Sequence, residues 1–344
     1  MIRASFRHLI GARDDSRPHE WLAKFCKSSI LARRIPQTLD NTSGTMLIYK
    51  YFPPDRASFL QTRLIRFTQP SMFNDPFDCL PAITGYDEKA AKEQANKVAR
   101  DMAFEFALSE PGNLHPKMIL DALNFSNAQV KKKYAADPAA VGLRYAAALL
   151  NRMSQQIGIL CLCQNHRSIL MWSHYAKNHE GFVVGFESSD PFFRHRDDEP
   201  NEIGDLRRVD YVNQRPALSV PVINDPNAEI PNFLFSKSRE WAYEQEWRIM
   251  RFLKHPDAVI RGDVHLFEVP PTAICQIIFG FKANDSVKKE LLAAAKIPEL
   301  AHVEFRKADL SRIEYDMDIL PLNAPEPFNL ALAWLKARNQ SQTR

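Results

Sequence analysis

Residues 159–187, ILCLCQNHRSILMWSHYAKNHEGFVVGFE, put a strand pattern, a helix pattern and a second strand pattern in immediate succession. The apolar run Ile159–Cys163 ends in the polar QNHR, and FVVGF follows Gly181. Between them Ser168 is a natural N-cap and Gly181 a natural C′ residue, because a serine hydroxyl accepts from a helix N-terminal N–H and glycine tolerates positive φ. The frame predicts a helix from Ser168 to Glu180. It groups Leu170, Met171 and Tyr175, with Trp172 on Tyr175's side at i+3.

His174 and His179 are five positions apart, which is about 140° around a helix, so they do not grip one ion. His179 is expected to interact with the helix C-terminal dipole. His174 is the functional candidate, standing beside Trp172 and Tyr175 in an aromatic wall. On the preceding strand Cys161 and Cys163 point to one face. C-x-C lacks the spacing and the second ligand pair of a zinc site, and small core residues explain the two thiols.

Working outward, MLIYKYFPP (46–54) reads as a first strand ended by prolines, DRASFLQTRL as a short helix capped by Asp55, and IRFTQP as a second strand. SMFNDPFDC (71–79) is a turn built on Asn-Asp-Pro. Residues 86–157 change to helical spacing. Three helices are expected there, broken at EPGNLHP and ADP. Residues 188–231 are polar and proline-rich, with RRVDYV as their one strand. FLFSKSREWAYEQEWRIMRF (233–252) reads as a short helix capped at Ser238 followed by a strand beginning at Glu244. VHLFEV, CQIIFGF, VEFRKA and RIEYDMDILPL are further strands, and SVKKELLAAAKI is a capped helix. Strands near both ends with helices inserted between them predict an α+β fold, with a mixed, mainly antiparallel sheet and a helical insertion. The expected organisation is a weakly ordered basic extension (1–44), one α+β domain (45–325) and a C-terminal amphipathic helix and tail (326–344).

Composition narrows the function classes. Every hydrophobic stretch is interrupted by charge well short of the roughly 18 apolar residues of a membrane span, so no membrane partner is expected. Five cysteines, an odd number, argue for a reducing cytoplasm rather than a disulfide framework. The net charge of +4 comes from residues 1–44. The neutral remainder gives no strong nucleic-acid signal. Residues 1–44 also lack the apolar core and cleavage site of a secretory signal.

The second constellation is Trp241, Tyr243, Glu244, Glu246, Trp247 and Arg248. In a strand starting at Glu244, the side chains of Glu244, Glu246 and Arg248 share a face. That is either a salt-bridged ladder or a functional carboxylate pair with its guanidinium. A third group, Asn74, Asp75 and Asp78, fits an Asp-Pro turn or, alternatively, a divalent-cation loop. No second acidic cluster completes a metal site, and no metal is expected.

IYKYFPPDRASFLQTRLIRFTQPSMFNDPFDC, ILCLCQNHRSILMWSHYAKNHEGFVVGFE and KSREWAYEQEWRIM together resemble the successive signature blocks of the bacterial domain of unknown function 2971 family. More distantly, the order of strand, short helix, strand, then the W-S-H-Y helix and an E-Q-E entering a strand is similar to the ADP-ribosyltransferase fold. That similarity implies NAD as substrate, a small-molecule nucleotide as partner, and a macromolecular acceptor. It implies catalysis by Glu246, with Glu244 as the first Glu of E-x-E and His174 beside them. Cofactor contacts would come from Lys50, Tyr51, Trp172, Tyr175 and Arg248. Lys50 and Tyr51 occupy the first-strand slot where that superfamily carries Arg or His. The expected function is therefore a cytoplasmic NAD-consuming enzyme, a toxin or phage-defence effector. Its alternatives are a non-catalytic ligand- or partner-binding module and a metal-dependent nuclease using Asp75 and Asp78.

Overall fold

A computed structural model describes residues 46–109, 116–194, 202–220 and 232–324. The expected basic extension 1–44 and terminal helix 326–344 lie outside the described residues. In chain order the strands are β1 (Leu47–Phe52), β2 (Leu64–Phe67), β3 (Ala82–Tyr86), β4 (Ile157–Cys163), β5 (Phe182–Glu187), β6 (Glu202–Arg208), β7 (Asp210–Val212), β8 (Ala217–Val220), β9 (Ser236–Ser238), β10 (Glu246–Phe252), β11 (Val259–Arg261), β12 (Val264–Glu268), β13 (Ile274–Phe279), β14 (Glu304–Leu310) and β15 (Met317–Pro321). The α-helices are α1 (Phe59–Thr62), α2 (Glu88–Ser109), α3 (Pro116–Ala136), α4 (Pro138–Ser154), α5 (Ile169–Tyr175) and α6 (Asp285–Ala294). The fold is α+β.

The chain forms two compact units. The first takes Gln69–Gln156 and Val212–Ser238. Here α2 ends at Ser109, α3 starts at Pro116, and α3 and α4 are separated at Asp137, where ADP falls, as expected from the sequence. Asp137 caps α4 by accepting from the Ala140 N–H, and Pro138 fills the first turn, where its missing N–H costs nothing. β3 and β8 pair in parallel beside this block. α4 approaches β3 closely at Gly142, where an added Cβ would stand 3.1 Å from the Ile83 carbonyl oxygen.

The second unit takes residues through Thr68, Ile157–Tyr211, and Arg239 onward. Its eight-stranded sheet runs β15-β14-β13-β5-β1-β4-β10-β6. Every neighbouring pair is antiparallel except β13 and β14, which α6 connects and which lie parallel. Period-two alternation sorts the side chains. Ile48, Phe52, Leu160, Leu162, Phe182, Val184, Ile249 and Phe279 enter one core, covered by Phe59, Leu60, Val287 and Leu291. Tyr49, Tyr51, Cys163, Val183, Ile278 and Ala308 enter the other, against Trp172 and Met171 of α5.

Three expectations change. Residues 188–231 contain β6, β7 and β8, not one strand. Short polar strands give little apolar periodicity. Asp55 does not cap a helix: it sits in a 3-10 turn, Pro54–Arg56, and α1 starts after Ser58, because Pro54 sets the φ of a separate turn. The helix capped by Ser168 ends at Tyr175, five residues before Glu180.

Candidate active site

The W-S-H-Y helix starts as its sequence implies, with the Ser168 hydroxyl accepting from the Met171 N–H. Its end differs from the glycine-capped frame. Lys177, Asn178 and His179 take φ of 48°, 53° and 70°, so three successive non-glycine residues carry the left-handed turn. Gly181 is not among the positive-φ residues. It is required for space, since a Cβ there would lie 2.0 Å from the Phe52 carbonyl oxygen. Gly280 likewise faces the His179 carbonyl oxygen at 2.1 Å from its would-be Cβ. The Lys282 N–H donates to that same oxygen at 3.1 Å, stitching the turn to the β13–α6 connection. Gly181→Ala is expected to lose about 1–3 kcal/mol, read as a fall in the urea midpoint, because backbone rather than a flexible side chain must move.

Trp172 is fully buried. Its Nε1 donates to the His166 carbonyl at 2.9 Å, and its ring meets Tyr51 edge-on at 5.2 Å and His179 in parallel at 6.1 Å. The expected wall of Trp172, His174 and Tyr175 is therefore divided. Trp172 belongs to the core, His174 is exposed, and Tyr175 is half-buried. Burial, and then the Lys282 charge, lower the pKa of His179. Its ring lies parallel to the Trp172 indole.

His166 stacks on Tyr49 with centroids 4.4 Å apart, and burial pushes its pKa down from 6.5 to about 4, with Arg167 adding to the effect. The folded chain binds this proton less readily than the unfolded chain. Its contribution to stability is full above about pH 6.5 and is lost as pH falls through that value toward 4, by about 2 kcal/mol once screening at a partly exposed ring is allowed for. His166→Phe is expected to flatten this part of a stability-versus-pH curve.

The E-Q-E segment also departs from its expected form. A 3-10 turn covers Arg239–Glu244, Gln245 is left-handed at φ 46°, and β10 starts at Glu246. Glu244, Glu246 and Arg248 therefore do not form one period-two row. Gln245 breaks the strand before it reaches Glu244, and its carbonyl accepts from the Gln164 N–H at 3.1 Å. Glu244 is buried, and one of its carboxylate oxygens accepts from the Tyr175 hydroxyl at 2.6 Å. His174 lies 6.4 Å from the Tyr175 ring and 6.4 Å from the Tyr243 ring. The helix end and the turn thus bring Tyr175, Glu244, His174 and Tyr243 together.

Glu246 and Arg248 do share a face of β10. Arg248 donates from Nε to Oε1 at 2.8 Å and from Nη2 to Oε2 at 3.1 Å, a two-point grip with side-chain exposures of 0% for Arg248 and 4% for Glu246. The Glu246 N–H donates to the Tyr211 hydroxyl at 2.8 Å, a contact that nothing in RRVDYV signalled beyond a tyrosine in a strand. Cys163 and Cys161 pair with Glu246 and Arg248 across β4 and β10. Burial raises both thiol pKa values, with the Glu246 charge next in effect at Cys161, so both remain thiols at neutral pH.

Lys50 and Tyr51 fall on opposite faces of β1. The Lys50 ammonium donates to the Cys161 carbonyl at 2.8 Å, and the Tyr51 hydroxyl to the Asn165 carbonyl at 3.1 Å, in a core that holds its pKa above the ordinary phenol value. The alternation of the strand does not let both line one pocket.

Asp75 and Asp78 have other employment. Asp75 accepts from the Phe77 N–H at 2.9 Å, and Asp78 lies 3.7 Å from the Lys237 ammonium. Among the described residues no group of three or more His, Cys, Asp or Glu side chains is arranged to hold a metal ion. No helix among them is long and apolar enough to cross a membrane.

Fold and site together define an α+β protein with a mainly antiparallel sheet, on which a capped helix and a 3-10 turn converge through a tyrosine–carboxylate bond. Residues 171–249 match the family model described as Protein of unknown function (DUF2971). The matched region contains Trp172, His174, Tyr175, Glu244, Glu246 and Arg248. Neither a curated protein nor a solved structure matches the chain.

Proposed function

We propose that the protein is an NAD-consuming enzyme of the ADP-ribosyltransferase type, acting as a toxin or defence effector. The observation that carries this reading is the 2.6 Å bond between the Tyr175 hydroxyl and Glu244, which ties the W-S-H-Y helix to the E-Q-E turn. Breaking the bond between nicotinamide and ribose builds positive charge at the sugar, and a carboxylate fixed beforehand lowers the cost of that charge. Arg248 grips the Glu246 carboxylate, and the Glu244 carboxylate accepts from the Tyr175 hydroxyl, which fixes it against the W-S-H-Y helix. Glu244 is therefore assigned the role of facing the ribose, with Tyr175 as its positioning residue. The Glu246–Arg248 pair holds the start of β10 in place. His174 and Tyr243 offer the rings for nicotinamide.

The test is nicotinamide release from NAD by the purified chain. Glu244→Gln is expected to lower the rate about 10²–10³-fold with little change in melting temperature. Equal release from wild type and variant, or no release with any acceptor, would end the proposal. The burial of both Glu244 and Glu246 favours a second reading, a non-catalytic binding module for a nucleotide or partner peptide. That reading expects NAD to raise the melting temperature without turnover.

A further inference from the structure

The FNDPFDC turn and the segment FSKS meet in the first unit beside a cavity of about 530 Å³. The turn is built to expose an aromatic ring. Asp75 accepts from the Phe77 N–H at 2.9 Å, the Asp78 N–H donates to the Asp75 carbonyl at 3.1 Å, and Cys79 takes a left-handed φ of 57°. Phe77, which lines the cavity, is left 60% exposed. The Arg215 guanidinium stands 5.4 Å from the centre of its ring. The ordered turn thus presents the Phe77 ring to the cavity.

The charged residues among the described lining of the cavity are both basic. Arg215 and Lys237 line it with the hydroxyls of Thr84 and Ser238 and the carboxamides of Asn213 and Gln214, and none of the described lining residues carries a carboxylate. The Lys237 side chain is only 5% exposed, and Asp78, at 3.7 Å, holds its ammonium in place from outside the lining. With Lys237 offset by Asp78, Arg215 supplies the net positive charge. A cation beside hydrogen-bond donors suits an anionic oxygen group, and a ring at the mouth suits a planar heterocycle. A neutral nucleoside leaves Arg215 without a use, and a simple anion leaves Phe77 without one.

We infer that this cavity binds a nucleoside phosphate, with its phosphate at Arg215 and beside Lys237 and its base on Phe77. None of these residues takes part in the Glu244 site, so the inference stands or falls separately from NAD turnover.

Calorimetric titration of the full chain with AMP, adenosine and inorganic phosphate tests it. AMP is expected to bind at least tenfold more tightly than either fragment. Arg215→Glu and Phe77→Ala, both changes of exposed side chains, are each expected to weaken AMP binding roughly tenfold or more without moving the melting temperature of the unliganded chain. Glu244→Gln is expected to leave AMP binding intact. No binding of millimolar AMP, binding that both variants retain, or tighter binding of a single-stranded oligonucleotide than of AMP would overturn the assignment.

Discussion

Arg248→Ala is expected to lower the unfolding free energy by about 3–5 kcal/mol, because it leaves the Glu246 carboxylate buried without its guanidinium. The size of the loss comes from burial, not from the number of bonds. The same pair at the surface would contribute about 1 kcal/mol or less. A double change, Glu246→Gln with Arg248→Met, removes both charges and keeps most of the volume. It is expected to recover most of the loss, since replacing both members of a buried pair is often close to neutral. Urea unfolding of wild type, single and double variants separates the two effects. A single variant that lost less than about 1 kcal/mol would show that Glu246 finds water or another partner, and that the pair does not fix β10.

Trp172→Ala is the second large effect, a loss of about 3–5 kcal/mol from the cavity left by a fully buried indole and from the unsatisfied His166 carbonyl. Trp172→Phe keeps most of the apolar ring and gives up the Nε1 bond, so about 1–2 kcal/mol is expected. This pair of variants also bears on function. Trp172 is packed against Tyr51 and His179 in the core, so Trp172→Phe is expected to keep nicotinamide release within a few-fold of wild type under conditions where both are folded. A folded Trp172→Phe chain with release abolished would put the indole back into the site.

Much of the architecture could be read from local pattern. In the run IGILCLC, Leu160 and Leu162 enter one core and Cys163 the other, in keeping with a strand's period of two. Ser168 caps α5, and three helices lie between Tyr86 and Gln156, the last two separated at Asp137 ahead of Pro138. Each rests on a short-range rule: a side chain that satisfies an orphan N–H, a ring that lacks one, or a residue facing one side of a pleat. The errors share a different cause. Gly181 looked like a left-handed cap because glycine at a helix end usually is one, yet its role is to let the Phe52 carbonyl pass. The strand beginning at Glu244 failed at one residue, Gln245, whose left-handed φ is stabilised by a bond to the end of β4.

The candidate site divides along the same line. That Tyr175, Glu244, Glu246 and Arg248 fall within the stretch 171–249 that the family model matches is legible in the sequence. That Tyr175 reaches Glu244 is a matter of how segments 69 residues apart meet, whereas Arg248 takes both oxygens of Glu246 two positions away on the same strand. The sequence by itself determined the fold class, the Ser168 cap, the three inserted helices and the residue types available for chemistry, because these depend on neighbours within a few positions. Only the tertiary structure decided which carboxylate the Tyr175 hydroxyl reaches, which aromatic ring is core and which is exposed, and which glycine is there for space. Those outcomes depend on strand pairing and burial, which local pattern does not encode.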